Sequence, residues 1–250
     1  MDWLTNWFNE QRELFILNFI EEDRWKLLLD GLGSTLLITL FATLIGILLG
    51  IIVAAVRTTY DKNGEAMAFH KNAGYYLLKV ANIICKLYLT IMRGTPVVVQ
   101  LLIAYFIIFA SSDNGLMVAI IAFGVNSGAY VAENIRAGIL SVDVGQTEAG
   151  RALGLPGRIT MLKIVIPQAI KNVIPAIGNE LIALIKETSI VSMIGMYDLT
   201  MAAKIIGSGN NMASYIVPMS VVALFYLAIV YLLTFAIKLI EKRLRASDKH

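Results

Sequence analysis

Four charged side chains interrupt a long apolar stretch of this 250-residue chain: Lys171, Glu180, Lys186 and Glu187 all fall between Gln168 and Ile194. A charge in the middle of a membrane-length helix costs at least about 2.5–3.5 kcal/mol, so such groups must face protein or water. They mark either an internal ion pair or a polar pathway. The ion-pair reading expects Glu133, near the end of the preceding apolar stretch, to neutralise Lys186. A second chemical feature is the polar, basic interruption Gln146–Pro167. Its small residues Ala149, Gly150, Ala152 and Gly154 allow two short helices to pack closely, and Gly154-Leu155-Pro156-Gly157 is a strong helix stop and restart. The apolar positions Ile159, Leu162, Ile164 and Ile166 then lead into the next helix at Pro167, where a helix start accepts proline. By spacing alone this is either an ordinary re-entry loop or a docking element. Pro96 removes a backbone donor and disturbs its helix, leaving carbonyls for Arg93 or Thr95 to satisfy.

Other chemistry is thinly represented. A single cysteine, Cys85, excludes an internal disulfide or a multi-cysteine metal site. The two histidines, His70 and His250, stand in a polar stretch and at the C-terminus. No phosphate-binding loop of the GxxxxGK[ST] type is present, nor a convincing nucleophile–base pair. No catalytic or metal-ligating residue is therefore expected.

The elements that position these residues follow from composition. Hydrophobic residues make up 58% of the chain and charged residues 16%, with a mean hydropathy of +0.72. A soluble domain carries about 25% charge, so this is an all-α integral membrane protein. About 20 apolar residues span a bilayer, and five transmembrane helices are predicted: Gly31–Val56, Leu87–Ala110, Leu116–Asn134, Gln168–Ile194 and Tyr215–Ile237. Residues 57–79 read as a polar connection. The first thirty residues carry Trp3, Trp7, Phe8, Phe15, Phe19 and Trp25 among acidic residues. They suit an amphipathic helix at a membrane interface rather than a cleavable signal peptide. Sixteen Lys and Arg fall in 57–93, 136–171 and 238–250, against four in 1–30, 111–115 and 193–214. The positive-inside rule then places the N-terminus outside and the C-terminus, with Gln146–Pro167, in the cytoplasm. The organisation expected is 1–30 at the outer interface, 31–240 as the transmembrane domain and 241–250 as a cytoplasmic tail. The basic residues follow the loops, so they report topology and no nucleic-acid partner is expected.

Glu148-Ala149-Gly150, Gly154, Ile164, Ile166 and Pro167 together resemble the EAA loop of permease subunits of bacterial ABC importers. Gly150 and Ile166 depart from that pattern by small changes. Arg93-Gly94-Thr95-Pro96 with Gln100, the run Asn126–Glu133 with Arg136, and Lys186-Glu187-Thr188-Ser189-Ile190 extend the resemblance to the polar amino acid branch, over most of residues 31–240. The resemblance implies a coupling helix, with Glu148, Ala149, Gly150, Gly154 and Pro167, that docks on an ATP-binding subunit. It implies a pair of ATP-binding subunits holding ATP and Mg, with no cofactor in this chain. It also implies a substrate-binding protein outside, a second permease copy or paralogue, and a place in the bacterial cell membrane.

Under that resemblance the substrate is a polar amino acid, whose ammonium needs an acceptor and whose carboxylate needs donors. Glu180 or Glu133 can serve the first, and Asn126, Ser127, Thr188 or Ser189 the second, with Lys186 on the same path. The extra acidic groups hint at basic amino acids. Apart from the resemblance, the ten methionines read as helix-packing filler, with Met193 and Met196, near the outer end of the fourth span, the two positioned for an apolar gate. A secondary transporter driven by an ion gradient is the alternative; its inverted repeats and discontinuous helices are not found in the sequence. A membrane-embedded enzyme is a third.

Overall fold

The architecture is that of a computed structural model, which describes residues 2–20, 23–70, 73–208 and 215–246. Those residues form helices and connecting turns, with no β-strand among them. The helices are α1 (Asp2–Phe15), α2 (Trp25–His70), α3 (Ala73–Gly94), α4 (Val97–Ile103), α5 (Gly115–Leu140), α6 (Val144–Ala152), α7 (Gly157–Thr160), α8 (Ile166–Glu187), α9 (Leu199–Gly207) and α10 (Ile216–Arg245). π-helical turns at Ile16–Ile20, Ala104–Ile108 and Met161–Val165 extend α1, extend α4 and join α7 to α8, and a 3-10 segment, Thr188–Ile194, follows α8.

Five helical segments among the described residues are long and apolar enough to cross a membrane: Trp25–Lys62, Ala73–Gly94, Gly115–Leu140, Gly157–Ile194 and Ile216–Arg245. Large apolar side chains point outward along them, among them Leu48, Leu87, Leu227 and Leu232. Such a surface matches lipid and would be an association hazard in water.

The second segment differs from the expected Leu87–Ala110. The chain breaks at Thr95-Pro96, where Pro96 caps α4 at φ −63°, ψ 135°. Apolar stretches on either side, contiguous in sequence, therefore belong to two helices. Residues 57–70 are likewise helical where a polar connection was expected: α2 runs on to His70, because 57–70 contains one glycine and no proline to stop it, and α3 begins at Ala73. The fourth segment begins at Gly157, not at Pro167. Pro156 caps that start, while α8 itself begins at Ile166 with Pro167 in its first turn, the helix-start position expected of it.

The centre of the molecule is the pairing of α2 with α5. Gly46 and Gly50 of α2 and Gly124 and Gly128 of α5 each stand four apart and form a seam of small residues, the close-approach device of membrane helices. A Cβ added at Gly124 would lie 2.7 Å from Ile45 Cγ2, and one at Gly50 2.5 Å from Val131 Cγ1. Around this seam Ile38, Ala42, Leu101, Phe123, Leu184 and Val191 bring α2, α4, α5, α8 and the 3-10 segment into one core. A second core joins Phe19 and Leu28 to α9 and to Val222 of α10.

Candidate functional site

The hairpin at Gln146–Pro167 is built by local chemistry. Asp143 caps α6 by accepting the Gly145 amide at 2.6 Å. At the other end the Leu155 amide donates to Gly150 O at 3.0 Å and the Gly154 amide to Arg151 O at 2.9 Å. That is the paired bonding of a Schellman motif, which requires a left-handed residue after the helix. Gly154 supplies it with φ +75°. Gly150 is buried against α7, where a Cβ would meet Thr160 Cγ2 at 2.7 Å. Gln168 Nε2 donates to Gln146 Oε1 at 3.2 Å and to Ile164 O at 3.1 Å, tying the hairpin to the base of α8. Glu148, Ala149, Val144, Leu153, Ile159 and Leu162 are exposed, Leu153 at 79%. Apolar and charged groups thus share a surface that nothing among the described residues covers.

The seven expected pathway residues do not gather at one place. Asn126, buried on α5, donates to Met92 O at 3.2 Å and to Gln100 Oε1 at 2.8 Å. Gln100 Nε2 also reaches Met92 O at 3.0 Å and Thr95 Oγ1 at 2.7 Å. Met92 O is the carbonyl that residue 96 of an uninterrupted helix would bond, so Gln100 and Asn126 replace the donor that Pro96 lacks. Thr95 Oγ1 donates to Ile91 O at 2.8 Å as expected. Arg93 does not join this repair; it lies 5.7 Å over the Tyr130 ring and 3.8 Å from Glu133 Oε2.

Glu133 therefore does not pair with Lys186. Its partners are Arg93 and, at 3.7 Å, Arg136 Nε. Arg136 also reaches Asp61 at 3.1 Å, and Asp61 lies 3.9 Å from Arg57. Arg57 in turn donates to Asn82 Oδ1 at 2.7 Å. This network links α2, α3 and α5, and α3 turns Arg93 toward α5 where a straight helix through residue 96 was expected. Lys186 stays exposed on α8.

Ser127 and Glu180 do come together. Ser127 is fully buried beside Gly46, and Glu180 of α8 faces it across the helix interface. Among the described residues the Ser127 hydroxyl has no hydrogen-bond partner other than this carboxyl. Thr188 is also buried, donates to Ile185 O at 2.6 Å and lies beside the Tyr226 hydroxyl. Ser189 donates to Lys186 O at 2.7 Å. Sequence reasoning missed Thr35, Thr200 and Tyr226, which gather with Thr188: Thr200 Oγ1 and Tyr226 OH are 3.3 Å apart and Leu199 N donates to Thr35 Oγ1 at 3.3 Å. A tyrosine in the middle of an apolar run was the available signal. Next to this group Asp198 caps α9, accepting the Met201 amide at 2.7 Å and the Thr200 amide at 3.0 Å. Burial pushes its carboxyl up and these amides oppose the rise.

The structure is thus a bundle of membrane-length helices with buried polar groups, joined to a hairpin that exposes a mixed apolar and charged surface. The family model for the binding-protein-dependent transport system inner membrane component matches residues 72–246, and the chain belongs to that family. It is 41% identical to the arginine transport system permease protein ArtQ of Bacillus subtilis over 66% of this chain and 76% of that one. To the glutamine transport system permease protein GlnP of Escherichia coli K12 it is 37% identical, over 66% and 77%. A crystal structure of an amino acid ABC transporter with histidines superposes with a TM-score of 0.77 at 36% identity, over 90% of this chain and 98% of that one. The chain is thus a membrane permease subunit of an ABC importer and not an enzyme.

Proposed function

We propose that this permease carries polar amino acids inward across the bacterial cytoplasmic membrane, as one of two permease subunits lining the path. The observation that carries the coupling half is the α6–α7 hairpin, whose Schellman turn at Gly154 and close contact at Gly150 hold an exposed mixed surface in one shape. Glu148, Ala149, Gly150, Gly154 and Pro167 belong to or support the face that docks on an ATP-binding subunit. A pair of such subunits holds ATP and Mg and supplies the energy, and a binding protein outside delivers the solute. Arg151, Arg158 and Lys163 around the hairpin and the basic run Lys238–Arg245, against Lys204 alone between the last two spans, support the N-terminus outside and this hairpin in the cytoplasm.

The substrate class rests on the amino acids named for the relatives and on the polar groups inside the bundle. Glu180, beside the Ser127 hydroxyl, is the acceptor we assign to the substrate ammonium. Asn126, Thr188 and Ser189 are the candidate polar groups for the carboxylate, with Lys186 at the exposed end of α8. Glu133 holds Arg93 and Arg136 and is assigned to the frame of the path. The test is uptake into vesicles holding the full transporter, with labelled glutamine, arginine and histidine offered in turn. ATP-dependent uptake of at least one supports the proposal. Uptake that follows an ion gradient without ATP would overturn it.

A further inference from the structure

A cavity of about 580 Å³ opens between α3, α2 and α5, lined by Arg57, Lys86, Thr90, Arg93, Tyr130 and Glu133 among others. Its charge is unbalanced. Arg57, Lys86, Arg93 and Arg136 gather here, and among the described residues the carboxylates in contact with them are Asp61 and Glu133. Lys86 makes no ion pair among the described residues, and Arg57 Nε is buried without a hydrogen-bond partner. Surplus positive charge at the edge of a low-dielectric region is costly unless an anion neutralises it.

The depth of the cavity is set by α2. Its uncharged run Gly31–Val56 ends at Arg57, which bonds Asn82 of α3. Asn82 is therefore near the boundary between hydrocarbon and headgroups. Lys86 follows one turn later, about 6 Å along α3, within reach of that boundary for a long flexible side chain. On its outer side α3 exposes Ile83, Ile84 and Leu87 at 55%, 62% and 60%, an apolar shoulder for acyl chains.

We propose that this cavity binds the phosphate of an anionic phospholipid headgroup, with Lys86 and Arg57 as donors and the α3 shoulder carrying the chains. Basic pockets between membrane helices suit such headgroups. Naming the cytoplasmic leaflet rests on the sidedness proposed above; the binding itself does not.

The test is native mass spectrometry of the intact transporter given equal phosphatidylglycerol and phosphatidylcholine of matched chains. Phosphatidylglycerol is retained preferentially. Lys86→Gln weakens that preference about five-fold, the equivalent of about 1 kcal/mol per basic side chain, and Lys86→Arg restores it. Glycerol phosphate or an amino acid in excess leaves the lipid in place. Equal retention of the two lipids, or a preference untouched by Lys86→Gln, would overturn the proposal. Displacement by the soluble anions would also overturn it and reassign the cavity to a dissolved oxyanion. None of these results bears on ATP-driven uptake, so the two proposals fail separately.

Discussion

Glu133 and Glu180 are carboxylates of the same bundle with different surroundings, and those surroundings assign them different work. Glu133 lies between two arginines with its side chain 27% exposed, so Glu133→Gln should loosen the frame. We expect a loss of about 1 kcal/mol, discounted for partial exposure, seen as a melting point lower by about 2–4 °C in detergent. Glu180→Gln should instead abolish uptake while the complex still assembles and hydrolyses ATP. Normal uptake by Glu180→Gln would remove it from the path. Asp198 offers a sharper contrast. Its burial penalises the charge while its cap geometry needs only an acceptor. Asp198→Asn should therefore be neutral or slightly stabilising at neutral pH, and Asp198→Ala should cost about 1 kcal/mol, both read by thermal melting. The need of Glu133 for a partner was legible in the sequence. The partner's identity was not, since Arg93 reaches α5 only because the chain breaks two residues after Gly94.

At the scale of elements, Gly150 and Gly154 separate two ways of damaging the hairpin. A side chain at Gly150 strikes Thr160, whereas the Cβ position at Gly154 is open and only the left-handed backbone resists it. Gly150→Val should distort the hairpin itself. Gly154→Asp, at a position where aspartate tolerates the left-handed region better than most residues, should leave insertion intact and abolish the coupling of ATP hydrolysis to uptake. Unimpaired uptake by Gly154→Asp would sink the docking assignment. In the α2–α5 seam, Gly124→Ala should cost about 1–3 kcal/mol by overpacking against Ile45, measured as a lowered melting point. The turn chemistry of the hairpin was readable from Gly154-Leu155-Pro156-Gly157, because each residue there acts locally. The second membrane segment was misplaced for a physical reason. Lys79, Lys86 and Arg93 recur every seven residues on α3 and depress its hydropathy, so the apolar window slides past Pro96 to residue 110. The paired Gly-x-x-x-Gly spacings at 46–50 and 124–128 were visible but meaningful only once α2 and α5 were seen to face one another.

For the whole molecule, sidedness and partnership each make a direct prediction. Single cysteines at Trp3 and at Leu153, in a Cys85→Ser background, should react with an impermeant maleimide from opposite sides of the membrane, Trp3→Cys from outside. Labelling of both from one side would contradict the five-span topology. The central claim is that this chain transmits the work of ATP hydrolysis done by a partner through its α6–α7 hairpin. It is tested most directly by purifying the tagged chain from its native membrane after mild extraction, alongside Gly154→Asp. Expected is an ATP-binding subunit in about equal amount with the native chain, and loss of that subunit or of its coupled hydrolysis with the variant. A native chain recovered alone even after cross-linking would contradict it.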